Sequence, residues 1–194
     1  MRVAIFGGTF DPIHKAHTTV ALESVEQFGL SSVLFVVASN PPHKANQTTA
    51  TYEHRLRMVE LACHGEMEFV PSRLEEGNEM SYSVRTVEKV RALVGSEGVV
   101  YFIIGADAFA EIRTWYRWPE VIRDVQFIVV TRPGHKYAVP SGATVHRLNT
   151  LALPVSSSEI RAKLARGEAP EELHPAVLDY IKKNGLYGWP GGPS

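Results

Sequence analysis

The sequence predicts an α/β fold: a single domain on a Rossmann-like, doubly wound parallel sheet with helices on both faces. Four apolar runs of strand length support this prediction, at residues 3–6, 33–38, 99–104 and 125–130. Continuous apolar runs of this length are typical of parallel strands that are covered on both faces. Segments with helical spacing separate the runs, and such alternation indicates right-handed βαβ units.

The other elements follow from local signals along the chain. Apolar residues at helical spacing predict helices at 18–28, 52–63, 84–94, 154–167 and 174–188. Shorter apolar stretches predict further strands at 67–70 and 145–148. We expect Ser81 or Ser83 to cap the third helix, and Pro175 to lie in the first turn of the last one.

Composition sets the limits on function. The chain has 194 residues and a net charge near −1, so no basic field favours nucleic-acid binding. No apolar run is long enough to cross a bilayer, and the chain starts directly with a strand. We therefore expect a cytoplasmic protein with no membrane partner. The single cysteine, Cys63, lies in an apolar pattern and is expected to be a buried structural thiol.

The first strand ends in a segment that is typical of a phosphate site. The strand is expected to end at a turn formed by Gly7 and Gly8, and a helix start with His14 and His17 comes next. Glycine allows main-chain N–H groups to approach an anion, and the helix N-terminus adds partial positive charge. Ligands of doubly wound sheets bind beyond the carboxyl ends of the strands. That rule selects the segments GGTF, NPPHK, GAD and TRPG.

The two histidines lie three residues apart and would share one helix face. Asp11 could cap the helix with Pro12 as its first residue, or the helix could begin nearer Lys15. Two histidines without a third acid or thiol make a poor zinc site, so imidazoles that donate to phosphate oxygens fit better. The plainer alternative is one surface histidine and one core histidine.

Two segments carry a family resemblance. GGTFDPIHKAH at 7–17 resembles the (H/T)-x-G-H signature of the nucleotidyltransferase superfamily, and VSSSEIR at 155–161 resembles its I-S-S-T-x-I-R signature. PPHK, GAD, TWYRW and PAVLDYIKKNGLY are similar to segments of bacterial nicotinate-nucleotide adenylyltransferases, over nearly the whole chain. Ala16, Ser158 and Val155 depart from the signatures' Gly, Thr and Ile.

The resemblance implies an enzyme of NAD biosynthesis. It would transfer the adenylyl group of ATP to nicotinate mononucleotide, giving nicotinate adenine dinucleotide and pyrophosphate, with Mg²⁺ accompanying ATP as cofactor. Its partners would be the small molecules ATP and nicotinate mononucleotide. Formation of a homo-oligomer is left open. We expect one nucleotidyltransferase domain over 1–188 and a disordered tail over 189–194.

The resemblance also implies roles for individual residues. The catalytic group would be His14, His17, Lys44 and Arg161. The nucleotide would be held by Gly7, Gly8, Thr9, Phe10, Gly105, Asp107, Arg132, Ser156 and Ser157. No residue is assigned to a protein-bound metal. For the serines, simple helix capping is the alternative role.

The resemblance assigns three residues to binding of the acceptor, nicotinate mononucleotide. In the family that the chain resembles, an aromatic at the place of Trp115 or Tyr116 stacks on the pyridine ring, and Thr86 matches the position facing the nicotinate carboxylate. Arg85 stands where an acid is more usual, so this segment is an incomplete match. The alternative for the tryptophan is core packing.

Other activities remain open from sequence. The acceptor could be nicotinamide mononucleotide or pantetheine phosphate, although the chain length and the TWYRW segment argue against the latter. A nucleotide-binding protein without catalysis is supported only by Ala16.

Overall fold

The computed structural model describes residues 1–39, 49–77, 80–131, 134, 136–150 and 155–191. Six strands form one sheet in which every pair is parallel, in the order β3-β2-β1-β4-β5-β6. The strands are β1 (Arg2–Gly8), β2 (Ser32–Val37), β3 (Phe69–Ser72), β4 (Val99–Gly105), β5 (Gln126–Thr131) and β6 (Thr144–Asn149). The order changes direction between β1 and β4, which are neighbours in the sheet although β2 and β3 separate them in the chain.

Seven α-helices connect and flank the strands within the described residues. They are α1 (Lys15–Phe28), α2 (Tyr52–Cys63), α3 (Ser83–Val94), α4 (Ala106–Ala110), α5 (Trp118–Asp124), α6 (Ser157–Ala165) and α7 (Pro175–Asn184). Single 3₁₀ turns cover Ile112–Thr114 and Leu186–Gly188.

Two hydrophobic clusters cover the two faces of the sheet. One joins buried residues of α1, α2, α6 and α7 to the sheet, and the other joins buried residues of α3, α4 and α5. Because side chains alternate across a strand, the apolar runs supply both clusters at once. The predicted doubly wound α/β fold with helices on both faces is confirmed.

The start of α1 differs from one of the two predicted alternatives. The helix begins at Lys15 with His14 as its N-cap, so Asp11 and Pro12 precede it. The Asp11 carboxylate instead accepts the main-chain N–H groups of Thr49 at 2.7 Å and Ala50 at 3.1 Å. It also accepts the Tyr187 hydroxyl at 2.7 Å. Asp11 is thus a buried acceptor that ties distant segments together rather than a helix cap.

Other local predictions shift by a few residues. The N-cap of α3 is Tyr82, because the Ser81 hydroxyl accepts the Ser39 N–H at 3.1 Å and Ser83 is already helical. β3 begins two residues later than predicted, since Met67 is exposed at 92%. Trp189, the first residue of the expected tail, packs against the cluster of α7, with Lys182 Nζ 4.9 Å from its ring centre.

Cys63 is a structural thiol, as its apolar sequence pattern predicts. Cys63 is buried, and that burial raises the pKa of its thiol to about 12. The thiol therefore stays protonated at neutral pH, as a structural cysteine does.

Among the helices of the described residues, none has the length and apolar character that crossing a bilayer requires.

Candidate active site

A cavity of about 600 Å³ opens at the carboxyl ends of β1 and β4. Its wall includes the end of β1 and the following Thr9, the end of β4, the start of α3, and residues 114–116. This is the point where the strand order changes direction, and crevices at such points are the usual ligand sites of doubly wound sheets. Seven of the predicted site residues line it: Gly7, Gly8, Thr9, Thr86, Gly105, Trp115 and Tyr116.

The turn predicted at Gly7 and Gly8 is wrong. β1 continues through Gly8, and neither Gly7 nor Gly8 has a positive φ, so the chain does not turn at the glycines. The left-handed residue is Phe10, with φ of 47°. A Cβ on Gly8 would lie 3.0 Å from the Phe10 ring. Gly8 is therefore required because an aromatic ring covers it, not because of its backbone conformation.

Phe10 links this segment to the histidines. Its buried ring meets the His17 ring edge-on, with centroids 5.1 Å apart. His14 and His17 stack on each other with ring centroids 3.8 Å apart. The histidine pair is thus fixed by aromatic packing beside the first strand, at the N-terminus of a helix of fourteen residues.

A hydrogen bond determines which His17 nitrogen carries the proton. The main-chain N–H of His14 donates to His17 Nδ1 at 3.2 Å. Nδ1 is therefore an acceptor, and in the neutral ring the proton lies on Nε2. Burial lowers the pKa of His17 well below its ordinary value, and the neighbouring His14 lowers it further. At neutral pH His17 consequently presents a neutral Nε2–H donor.

His14 is also neutral at neutral pH. The residue is 4% exposed, and burial lowers its pKa to about 4, although the charge of Glu172 acts in the opposite direction. Its Nδ1 is buried and has no hydrogen-bond partner among the described residues. A buried imidazole nitrogen without a partner is costly unless something binds there.

The second signature packs directly on the first. Arg161 donates to the carbonyl oxygen of Asp11 at 2.8 Å, and the Ser157 hydroxyl donates to that of Pro12 at 3.1 Å. Ser156 caps α6: its hydroxyl accepts the Glu159 N–H at 3.2 Å, while its own N–H donates to the Glu159 carboxylate. The structure therefore brings Arg161 and Ser157 to the segment just before α1, whereas the bonds of Ser156 cap α6.

A second cavity, of about 480 Å³, adjoins the same helix. Its wall includes Lys15 and Ala16 of α1, Val155 and Lys163, and residues 168–172. Ala16 lies in the first turn of α1, where its backbone conformation is ordinary for alanine. The residue that departs from the signature thus adds one methyl group to the wall of this cavity without disturbing the helix.

The predicted acceptor residues lie together in the 600 Å³ cavity. Thr86 is buried in α3, and its hydroxyl donates to Glu75 Oε1 at 2.5 Å. The half-buried ring of Trp115 meets Phe102 edge-on with centroids 5.6 Å apart, and this contact leaves it at the cavity wall. Tyr116 is 53% exposed. Trp115 therefore both packs on the core and lines the cavity.

Asp107, a predicted nucleotide contact, does not line this cavity. Asp107 is exposed in the first turn of α4, two residues after Gly105, which lines the wall. Lys44 and Arg132 lie outside the described residues.

Sequence reasoning missed Arg55. It is 1% exposed, and its guanidinium donates to the carbonyl oxygens of Thr9 and Ala38, both at 2.8 Å, and of Ala50 at 3.2 Å. It thereby joins the segments that follow β1 and β2. The signal was present: Arg55, Met58, Val59 and Ala62 share one face of α2, so a basic residue interrupts an otherwise apolar stripe.

The described residues contain no group of three or more His, Cys, Asp or Glu side chains placed to hold a metal ion. Within these residues, the pair His14 and His17 has no third protein ligand of the kind that a catalytic zinc site requires.

Known proteins resemble this chain in sequence and in structure. The family model described as cytidylyltransferase-like matches residues 5–163. A protein of Solibacter usitatus named probable nicotinate-nucleotide adenylyltransferase is 56% identical over 187 residues, which are 96% of this chain and 100% of that protein. A protein of Acidothermus cellulolyticus with the same name is 35% identical, over 96% of this chain and 94% of its own length.

Among solved structures, the nicotinic acid mononucleotide adenylyltransferase of Plasmodium falciparum, complexed with NaAD, superposes with a TM-score of 0.80. The match covers 97% of this chain and 98% of that one at 21% identity. At that identity the likeness concerns the fold, and it agrees with the single parallel sheet described above.

Proposed function

This chain belongs to the nicotinate-nucleotide adenylyltransferase family, and from that premise we propose how its residues transfer the adenylyl group of ATP to nicotinate mononucleotide. The observation that carries the proposal is the contact between the two signatures. Arg161 and Ser157, from α6, bond to the carbonyls of Asp11 and Pro12, immediately before the histidine pair. One anion can therefore meet groups from both ends of the chain.

The donor half lies at the N-terminus of α1. We assign His17 Nε2–H and His14 to the triphosphate, with His17 nearest the α-phosphate. Neutral imidazole donors at a helix N-terminus stabilise phosphate charge without adding an unpaired buried cation. Arg161 supplies a planar guanidinium suited to the β- and γ-phosphates, and Lys44 is assigned to phosphate charge as well.

The acceptor half is the 600 Å³ cavity. Trp115 at its wall offers a flat face for the pyridine ring, and Thr86 lies where a polar group can meet the ring substituent. The remaining nucleotide-contacting assignments are Gly7, Gly8, Thr9, Phe10, Gly105, Asp107, Arg132, Ser156, Ser157 and Tyr116.

The reaction requires little covalent chemistry from the protein. An oxygen of the 5′-phosphate of nicotinate mononucleotide attacks the α-phosphorus of ATP, the bond from that phosphorus to the bridging oxygen of the β-phosphate breaks, and pyrophosphate leaves. The chain holds the two substrates in line and donates hydrogen bonds to the charge that develops on the transferring group. Both effects require that the triphosphate site and the acceptor cavity be neighbours, and residues 7–10 connect them.

We propose that Mg²⁺ arrives with ATP. Magnesium keeps several waters and is bound largely by substrate phosphates in such sites. When bound, it neutralises charge on the leaving pyrophosphate. We assign no protein ligand to it.

The enzyme's place in the cell is also a proposal. Both substrates carry phosphate groups, which do not cross bilayers unaided, so we place the enzyme in the cytoplasm. Fractionation of the native cells, followed by detection of the protein in the soluble or the membrane fraction, tests this.

The test of the activity is direct. Purified protein with ATP, Mg²⁺ and nicotinate mononucleotide should form nicotinate adenine dinucleotide and pyrophosphate in equal amounts. Chromatography of the dinucleotide and an enzymatic pyrophosphate assay measure the two products. Binding of ATP without release of pyrophosphate would instead identify a nucleotide-binding protein without catalysis. Pantetheine phosphate serves as the negative-control acceptor.

A further inference from the structure

A carboxylate lies in the wall of the acceptor cavity, where the expected ligand is itself anionic. Glu75, in the connection between β3 and α3, lines the cavity. Its Oε1 accepts the hydroxyl proton of Thr86 at 2.5 Å. Its Oε2 is buried and has no hydrogen-bond partner in the part of the chain that the structure describes.

The side chains in the cavity wall make it unfavourable for an anionic ligand. Its described lining residues include two carboxylates, Glu75 and Glu111, and no lysine, arginine or histidine. A buried carboxylate oxygen without a donor is unfavourable, and a second carboxylate brought beside it adds like-charge repulsion. A neutral group with an N–H donor would relieve both costs.

The hydrogen bond also restricts what Thr86 can offer. Its proton is committed to Glu75, so the Thr86 oxygen presents only lone pairs to a ligand. A pyridine carboxamide can donate an N–H to these lone pairs or to the free oxygen of Glu75. A pyridine carboxylate can donate to neither.

We propose that Glu75 is a specificity-determining residue that weakens the preference of this enzyme for the acid over the amide on the pyridine ring. This inference rests on the proposed function, which places the pyridine ring in this cavity. For the Thr86 hydroxyl to donate to the acid, it would have to leave Glu75, whereas the amide can donate to these groups while their hydrogen bond stays in place. The enzyme should therefore use nicotinamide mononucleotide at a measurable rate, and removing the charge of Glu75 should favour the acid.

Steady-state kinetics of two variants and one control test the inference. The kcat/KM values for nicotinate and nicotinamide mononucleotide are measured for wild type, Glu75→Gln, Glu75→Ala and Glu76→Gln. We expect both Glu75 variants to raise the acid-to-amide ratio of kcat/KM roughly tenfold, the effect of one charged hydrogen-bond partner, with KM for ATP unchanged. Glu76 is exposed and pairs with Arg73 at 2.8 Å, so Glu76→Gln should leave the ratio unchanged.

The possible failures are distinguishable. An unchanged or lower acid-to-amide ratio in both Glu75 variants would overturn the inference while leaving the proposed function intact. Equal loss of kcat/KM for both substrates, accompanied by a lower Tm, would make Glu75 a structural residue and would also overturn it. If wild type turns over neither mononucleotide, the proposed function itself is refuted. If Glu75→Gln fails to fold, Glu75→Ala decides the outcome, because it removes the same charge without placing an amide in the wall.

Discussion

The main-chain N–H of His14 donates to Nδ1 of His17 at 3.2 Å, so the helix N-terminus itself fixes the orientation and the tautomer of the second imidazole. A ring that is held in this way presents Nε2–H without first having to reorient. Preorganised donors of this kind lower a reaction barrier because no reorganisation is needed as charge develops.

We expect His17→Ala to lower kcat by two to three orders of magnitude, since the loss of one preorganised donor costs about 2.7–4 kcal/mol of transition-state stabilisation. Single-turnover rates at saturating substrate measure the chemical step. The control is His64→Ala, because His64 is exposed at the end of α2. A variant with near wild-type kcat would show that His17 does not contact the transferring group.

Trp115→Ala should raise KM for the pyridine mononucleotide about tenfold or more, because it removes an aromatic face from the cavity wall. KM for ATP should change much less. Trp118→Ala is the matched control: Trp118 packs against the same hydrophobic cluster but does not line the cavity. Equal increases of both KM values in Trp115→Ala would indicate a packing role instead.

The depressed pKa of His14 predicts how stability depends on pH. The unfolded chain binds a proton near pH 6.5, whereas the folded chain binds it near pH 4 because the ring is buried. The contribution of neutral His14 to the free energy of unfolding is therefore fully present above pH 6.5. Up to about 3 kcal/mol of it is lost as the pH falls from 6.5 to 4. Urea unfolding at a series of pH values measures this slope.

The variant His14→Gln isolates the contribution of that ring. Its unfolding free energy should fall less steeply between pH 6.5 and 4, while burial of His17 and His174, whose pKa values are also lowered, keeps part of the slope. His64→Gln, at an exposed position, should retain the wild-type slope. Identical slopes in wild type and His14→Gln would contradict the assignment.

The elements could be predicted from the sequence because their signals are local. Apolar runs and helical spacing depend on neighbours in the chain, and they located all six strands to within a few residues. The two signatures also identified the segments that meet at α1. The contacts that complete the site are long-range: Asp11 with Tyr187 and Thr86 with Glu75. No local pattern specifies such pairs, so the sequence left open whether Asp11 caps the helix or the helix begins nearer Lys15.

The glycine segment shows the same limit at short range. The glycine pair predicted a turn at the end of the first strand, yet β1 continues through Gly8 and the positive φ is at Phe10. The position of the Phe10 ring, which covers Gly8 and meets His17, depends on tertiary packing against Phe6 and Phe35. The shape of the predicted phosphate site thus depends on the left-handed conformation of Phe10, which tertiary packing determines.

Arg55→Met should destabilise the protein by about 3–5 kcal/mol, because it leaves three carbonyl oxygens without their buried donor. Two of those carbonyls, of Thr9 and Ala38, follow β1 and β2, so the variant should also lower kcat/KM through loss of alignment at the cavity. Urea unfolding and steady-state kinetics measure the two effects. Arg57→Met is the matched control, since Arg57 is exposed on the same helix and pairs only with Glu60 among the described residues. Equal unfolding free energies for the two variants would show that the Arg55 guanidinium contributes no more than a surface charge.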